Sequence, residues 1–554
     1  ETKPGVYVLD LGQNFAGVPR LKIHGEPGQR VTLRFAERLS PDGTIYTTNL
    51  RSARCIDTYI CDGKGEETWS PRFTFHGFQY VEITGLKSPP TVATVTGIAL
   101  SSDTPIVGRF ECSDTMLNKL HSNGYWTQRA NFIDIPTDCP QRDERLGWTG
   151  DAQVYIRTAT LNCDVQAFFN KWLVDLADGQ RPDGQFPMVA PVKVAGDDGG
   201  PAWADAGVIC PWTIYQVYGD RRLLERQYPS MLKFVEFCRK RSTSELLPPT
   251  QYHCFGDWLS ISADTPKDVI FTAYFALSTK LTAEAAEVLG KTEDASRLHN
   301  LYRTIKAAFN NAYVSDDGRI KGDTQACYVL ALAVDLVDGE RARQAARYLV
   351  EDIEKHNNHL STGFIGTKDL MLVLSKIGRH DVAYRLLFND TFPSWGFSIK
   401  QGATSIWERW DGWTPEKGFQ DPGMNSFAHY SFGAVYQWMV ENIGGIKSDG
   451  PAYKQILIEP HPGGRLTHAE TSYQSIRGQI ATSWIKAGET LSLIATIPAN
   501  TTATVILPAS GPEAITENGR SLNQSEGVKV ESSAGGRTVL KVSSGRYSFV
   551  TKTK

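Results

Sequence analysis

The 554-residue sequence predicts a multidomain fold: an (α/α)6 barrel flanked by an N-terminal and a C-terminal β-sandwich. The chain is too long for one hydrophobic core. Both ends carry short alternating runs of β-branched and aromatic residues, and the middle carries apolar residues at helical spacing.

Residues 1–110 read as β. "RVTLRFAERL", "PRFTFHGFQYVEITG" and "TVATVTGIAL" are strand-like runs separated by Gly, Pro and Asp. From about Ser113 the period changes. In "DVQAFFNKWLVDLADG" Val165, Phe168, Phe169, Trp172, Leu173 and Leu176 follow i, i+3, i+4, i+7, i+8, i+11, which puts them on one face of a helix. Asp164 is placed to cap its start and Gly179 its end. Similar segments recur around 114–130, 152–162, 207–219, 221–241, 268–290, 293–314, 323–337, 340–355, 367–377 and 379–388. The last of the series is "NSFAHYSFGAVYQWMVENIGG". About a dozen successive helices form either an α-solenoid or a ring of six hairpins, and the lack of a fixed repeat length favours the ring. After about Gly445 alternation returns in "QIATSWIKAGETLSLIATIPANTTATVILP". The expected domains are 1–110, 111–444 and 445–554.

Composition excludes several classes. Hydrophobic residues make up 41% and charged residues 21%, with a net charge of -3. No basic stripe offers a nucleic-acid surface, and no run of about 18 apolar residues spans a membrane. The chain opens at Glu1 without a leader pattern, as expected of a processed or excised piece. Its nine cysteines are odd in number and match no zinc spacing, so most are read as buried thiols, and the compartment stays open.

Aromatic and acidic residues mark the candidate site. Eleven of thirteen tryptophans fall between Trp126 and Trp438, several in loop-like segments: Trp148, Trp203, Trp258, Trp407, Trp410 and Trp413. Loop tryptophans beside acids fit a sugar, whose C–H face stacks on a ring while its hydroxyls meet carboxylates. Two acid-bearing segments stand more than 260 residues apart, "TDCPQRDERLGWTGD" and "GATSIWERWDGW". Glycoside hydrolysis needs two carboxyl groups, one protonated and one ionised. The alternative is structural: the acids fasten loops by pairing with Arg142, Arg145 and Arg409. His429, at the start of an apolar run, reads more readily as a core residue than as a site residue. Asp197, Asp198 and Asp205 lack EF-hand spacing, and no phosphate loop, nucleophile elbow or zinc-protease motif occurs. Neither a metal nor a cofactor is expected.

"DIPTDCPQRDERLGWTGDAQ" resembles the signature of the bacterial α-L-rhamnosidases, glycoside hydrolase family 78. So do "DGQFPMVAP", "PAWADAGVICPW", "GATSIWERWDG" and "MNSFAHYSFGAVYQWM", and at the N-terminus "DLGQNFAGVPRLKIHG" and "EETWSPRFTFHGFQYVEITG". The resemblance covers almost the whole chain. It implies an (α/α)6-barrel hydrolase that removes terminal α-L-rhamnose with inversion, acting on a rhamnose-containing glycoside or oligosaccharide. It implies Glu144 as general acid and Glu408 as general base. Asp138, Arg142, Trp148, Asp151, Trp203, Asp205, Trp258 and His429 match or lie near sugar-lining positions, the motifs around Trp203, Asp205 and Trp258 being looser. Family members commonly carry further upstream β-domains, so calcium or polysaccharide binding by such a module is not inferred. The competing readings are an inverting barrel glycosidase for another sugar and an inert sugar-binding relative, which would be free to lose either glutamate.

Overall fold

The computed structural model describes residues 1–196 and 198–552; Asp197 lies outside the described residues. Its contacts divide the chain into two compact units. One comprises residues 1–104, 122–148 and 390–433, and the other residues 105–121, 149–389 and 434–554.

In the first unit most of the N-terminal strands form one six-stranded antiparallel sheet, and Arg38–Leu39 pairs with Ile45–Tyr46 apart from it. Its organiser is the 19-residue strand Val6–His24, which pairs with His76–Thr84, Val95–Ala99 and Glu66–Trp69 at successive positions along its length. A register shift between Asp10 and Phe15 marks a bulge, which bends a strand and lets it serve several partners. This long strand thereby links six N-terminal strands by hydrogen bonds. Phe15, Leu33, Phe35, Phe78, Val81 and Ile83 form its buried core. The unit also holds the short helix Trp395–Lys400 and the hairpins Phe132–Ile133/Ile135–Pro136 and Trp413–Thr414/Gly418–Phe419.

The second unit carries most of the helices. Thr149–Asn162, Gln166–Asp178, Ala206–Tyr218, Arg221–Arg241, Lys267–Leu289 and Thr292–Tyr313 are followed by Gln325–Ala333, Gly339–Lys355, Phe364–Lys376 and His380–Phe388. These match the segments expected from apolar spacing. Asp220 caps Arg221–Arg241 by accepting from the Leu223 N–H at 2.9 Å, satisfying a donor that the helix itself leaves unpaired. At Gln166–Asp178 the Asp164 carboxylate accepts the Gln166 N–H. Gly179 follows this helix at φ −78°, so the position makes no use of glycine's left-handed freedom.

The C-terminal strands form a five-stranded and a seven-stranded sheet. The edge of the second is Gly108–Cys112, paired antiparallel with His468–Ser475. The expected limit at residue 110 cuts through this strand. All nine cysteines are free and buried. Among the described residues no helix is long and apolar enough to cross a membrane.

Candidate active site

The first unit brings the two acid-bearing segments together. Residues 137–148 form an irregular loop pinned at its ends. The Asp138 N–H donates to the Leu146 carbonyl at 3.0 Å, and the Leu146 N–H donates to Asp138 Oδ1 at 2.9 Å. Residues 406–408 lie along residues 426–429: Glu408 N–H donates to Ser426 O, and His429 N–H donates to Ile406 O. Asn131 Nδ2, donating to Ala428 O, and Tyr430 Oη, donating to Pro136 O, join that pair of segments to the stem of the acid loop.

Arg142 is the centre of the charge network, and it is 1% exposed. Its Nη1 donates to Glu408 Oε2 at 2.8 Å and its Nη2 to Glu408 Oε1 at 3.3 Å. Its Nε donates to Glu144 Oε2 at 2.9 Å, and Nη2 also reaches Asp138 Oδ2 at 3.4 Å. The planar fork of a guanidinium suits such multiple grips on carboxylates. One cation thus spans both glutamates that the sequence singles out.

The three acids differ in surroundings. Burial pushes the Glu408 carboxyl up, but Arg142, His429 and the Ser426 N–H outweigh it, and the net direction is down. Glu408 is therefore held as a carboxylate. At Asp138 burial and then the neighbouring Glu144 raise the carboxyl, against Arg142 and His429. Glu144 is the more open of the two glutamates, with 13% of its side chain exposed. Its Oε2 accepts from Arg142 and also from Arg51 Nη2 at 2.7 Å, and its Oε1 accepts from Trp148 Nε1 at 2.8 Å. Trp148, one of the loop tryptophans expected to stack on a sugar, also presents its N–H to a carboxylate.

Asp138, Cys139 and Glu144 bring three ligand-type atoms within 4.8 Å of one another, a spacing that could hold a metal ion. The donor set fits a cation poorly. The Arg142 guanidinium already lies on two of the three, and burial raises the Cys139 thiol well above its usual range, whereas a metal-binding cysteine is a thiolate.

The remaining expected residues fall in two places. His429 is buried, and its positive charge when protonated bears on both Asp138 and Glu408. Asp151, Trp203, Asp205 and Trp258 belong to the second unit. There Asp151 sits in the first turn of Thr149–Asn162. The Trp203 ring packs where a Cβ on Gly150 would stand 2.4 Å from it, which is why "GWTGD" needs glycine at this point. Asp205 accepts from Ala202 N–H and Ser278 Oγ and so supports the Trp203 turn. Trp203, Phe255 and Trp258 follow one another at ring spacings of 4.8 and 5.7 Å. Asp257 anchors its neighbour Trp258 by accepting the Gly363 and Gly366 N–H groups at the start of helix Phe364–Lys376.

Trp407 and Trp410 behave differently from the expectation for loop tryptophans. Both are buried. Trp407 packs edge-on to Phe427, and Trp410 stacks on Phe432 at 4.0 Å. Arg409 pairs with Asp411, and Arg145 donates to the Phe75 and Arg142 carbonyls and pairs with no acid among the described residues.

Three contributors from the N-terminal region carry no sequence signal. Arg51 reaches Glu144. Asn49 Nδ2 donates to the Asn425 carbonyl and to Glu37 Oε2. Glu37, 1% exposed, also accepts from Asn14 Nδ2 and the Phe427 N–H. Burial raises its carboxyl to about 7.

Residues 105–443 match the bacterial alpha-L-rhamnosidase 6 hairpin glycosidase domain. Residues 1–101 match the concanavalin-like domain of the same proteins, and residues 445–521 their C-terminal domain. The chain belongs to the bacterial α-L-rhamnosidase family. It is 50% identical over 515 residues to an alpha-L-rhamnosidase of Streptomyces avermitilis, covering 93% of this chain and 50% of that protein. It is 41% identical to one of Formosa agariphila, covering 99% of this chain and 60% of that protein. The chain therefore spans half to three-fifths of the length of these relatives. The crystal structure of the Streptomyces avermitilis enzyme complexed with L-rhamnose superposes with a TM-score of 0.96 at 48% identity, over all of this chain and 52% of that one.

Proposed function

We propose that this chain carries the catalytic part of an exo-acting, inverting α-L-rhamnosidase. In this reading its helices close as an (α/α)6 barrel with a β-sandwich on either flank, the domain limits falling near residue 110, outside the strand Gly108–Cys112, and near residue 445. Glu144 is the general acid and Glu408 the general base. Asp138, Arg142, Trp148, Asp151, Trp203, Asp205, Trp258 and His429 hold or frame one terminal rhamnose. The observation that carries the reading is the Arg142 guanidinium bonded to both glutamates. It brings two carboxyl groups from distant segments into one site, and glycoside hydrolysis needs such a pair.

Lone pairs assign the base atom. Glu408 Oε2 accepts from Arg142 and from the Ser426 N–H at 2.8 Å, whereas among the described residues Oε1 takes a single long contact at 3.3 Å. Oε1 is the oxygen with capacity to take a proton from water. As the C1–O bond breaks, its electron pair goes to the glycosidic oxygen, which takes the proton of Glu144. The water oxygen bonds C1 and gives its proton to Glu408. The relative crystallised with L-rhamnose supports rhamnose as the sugar.

A panel of p-nitrophenyl glycosides tests the proposal. Hydrolysis of the α-L-rhamnoside well above all others is expected. Preference for another sugar points to a different specificity, and no turnover of any member points to an inert binding relative.

A further inference from the structure

We propose that Arg51 is a positioning residue for the general acid, fixing which oxygen of Glu144 carries the proton and stabilising the carboxylate left after donation. This rests on the rhamnosidase reading above. Arg51 lies 93 positions before Glu144, on the loop after the short turn Thr48–Leu50. Its Nη2 donates to Glu144 Oε2 at 2.7 Å, its Nε to Asp143 Oδ1 at 2.8 Å and its Nη1 to the Gly423 carbonyl at 3.3 Å. Ser52 adds two more bonds to Asp143, from its N–H and its hydroxyl. Arg51 itself sits at φ 56°, where L residues with side chains are rare and held only when their surroundings require it.

A carboxylate oxygen offers two lone pairs. With Arg142 Nε and Arg51 Nη2 both on Oε2, that oxygen is fully occupied. Oε1 accepts only the Trp148 indole among the described residues, so the transferable proton resides on Oε1. Donation converts Glu144 to a carboxylate, and the second guanidinium favours that state. The charged and titratable groups around Glu144 are Arg142, Asp143, Asp138 and Cys139 from its own loop and Arg51 from the N-terminal region. Glu408 and His429 act on it through Arg142 and Asp138. Of these, Arg51 alone both touches Glu144 and comes from outside the acid loop.

The test compares R51Q and R51K with the unmodified chain by kcat/KM against pH on an alkyl α-L-rhamnoside, whose leaving oxygen needs the proton. The alkaline limb reports the free-enzyme acid. Loss of one cation from beside Glu144 should move that limb upward in R51Q, while R51K, which keeps the charge, should leave it nearly in place. In an E144Q background R51Q should cost nothing further, because no proton is left to place. An unmoved limb in R51Q, or a full additive loss in the double variant, overturns the proposal. If R51Q fails to fold by circular dichroism, D143N, which frees Arg51 from its second anchor, replaces it: a changed limb position is expected, and an unchanged one overturns the proposal. Absence of rhamnoside turnover in the unmodified chain is a separate result and defeats the parent reading.

Discussion

Residues 137–148 and 404–413 are both short, irregular, and crowded with charges and tryptophan, yet the structure uses them in opposite ways. In the first, Asp138, Arg142, Glu144 and Trp148 all bond to one another in a chain. In the second, only Glu408 joins that chain; Arg409 and Asp411 pair with each other, while Trp407 and Trp410 are packed among Phe427, Phe432 and Trp395. The difference teaches that composition marks where a site is built but not which residues face the chemistry. A buried charge must be paired, so a polar loop that folds inward organises itself about its strongest donor. An aromatic one organises itself by area.

Substitutions separate the two uses, and the largest effect belongs to the base. Glu408→Gln should lower kcat/KM by about 10⁴-fold on every rhamnoside, whatever the leaving group. Glu144→Gln should cost about 10²–10⁴-fold on an alkyl rhamnoside, and far less on an aryl one, whose leaving oxygen needs little protonation. Equal losses on both substrates would remove Glu144 from the role of acid. In the second segment Trp410→Ala should act on stability, lowering it by about 3–5 kcal/mol in denaturant titrations, with folded enzyme retaining most of its rate. A selective loss of rate without loss of stability would make Trp410 a sugar contact after all.

Smaller effects sharpen the contrast. Glu37 has its carboxyl raised to about 7 from 4.5. The folded protein then holds this proton more tightly than the unfolded chain, so its stabilising effect is complete below about pH 4.5 and is lost as pH rises through about 7. Glu37→Gln, which cannot ionise, should remove up to about 3 kcal/mol of that decline, seen as a flatter plot of stability against pH. An unchanged slope would mean that Glu37 ionises without cost. Trp148→Phe keeps the ring and loses the N–H on Glu144 Oε1; about a tenfold fall in kcat is expected, the scale of one hydrogen bond to a charged group. Retained kcat with raised KM would assign Trp148 to sugar stacking alone.

Periodicity and motif made much of this legible. The helices of 149–388 follow apolar spacing that burial then enforces, and Glu144, Arg142 and Glu408 stand in segments whose charge density is visible at a glance. What stayed hidden has a common cause. Arg51, Asn49 and Glu37 are single polar residues in β-rich sequence, and only the folded chain brings them to residues 142–144 and 425–427. The long shared strand Val6–His24 was equally invisible, because an alternating pattern states which face is buried and not how many partners a strand has. The loop tryptophans misled for the opposite reason: a ring that packs and a ring that stacks on sugar have the same sequence signal.

The central claim is that Glu408 activates water while Glu144 protonates the leaving oxygen, in one displacement. Proton NMR of the anomeric region during the first minutes of hydrolysis tests it most directly. The account predicts β-L-rhamnose as the first product, with the α anomer growing in only by mutarotation. Release of α-L-rhamnose first would contradict it, because retention requires a covalent intermediate and one of these carboxylates as nucleophile.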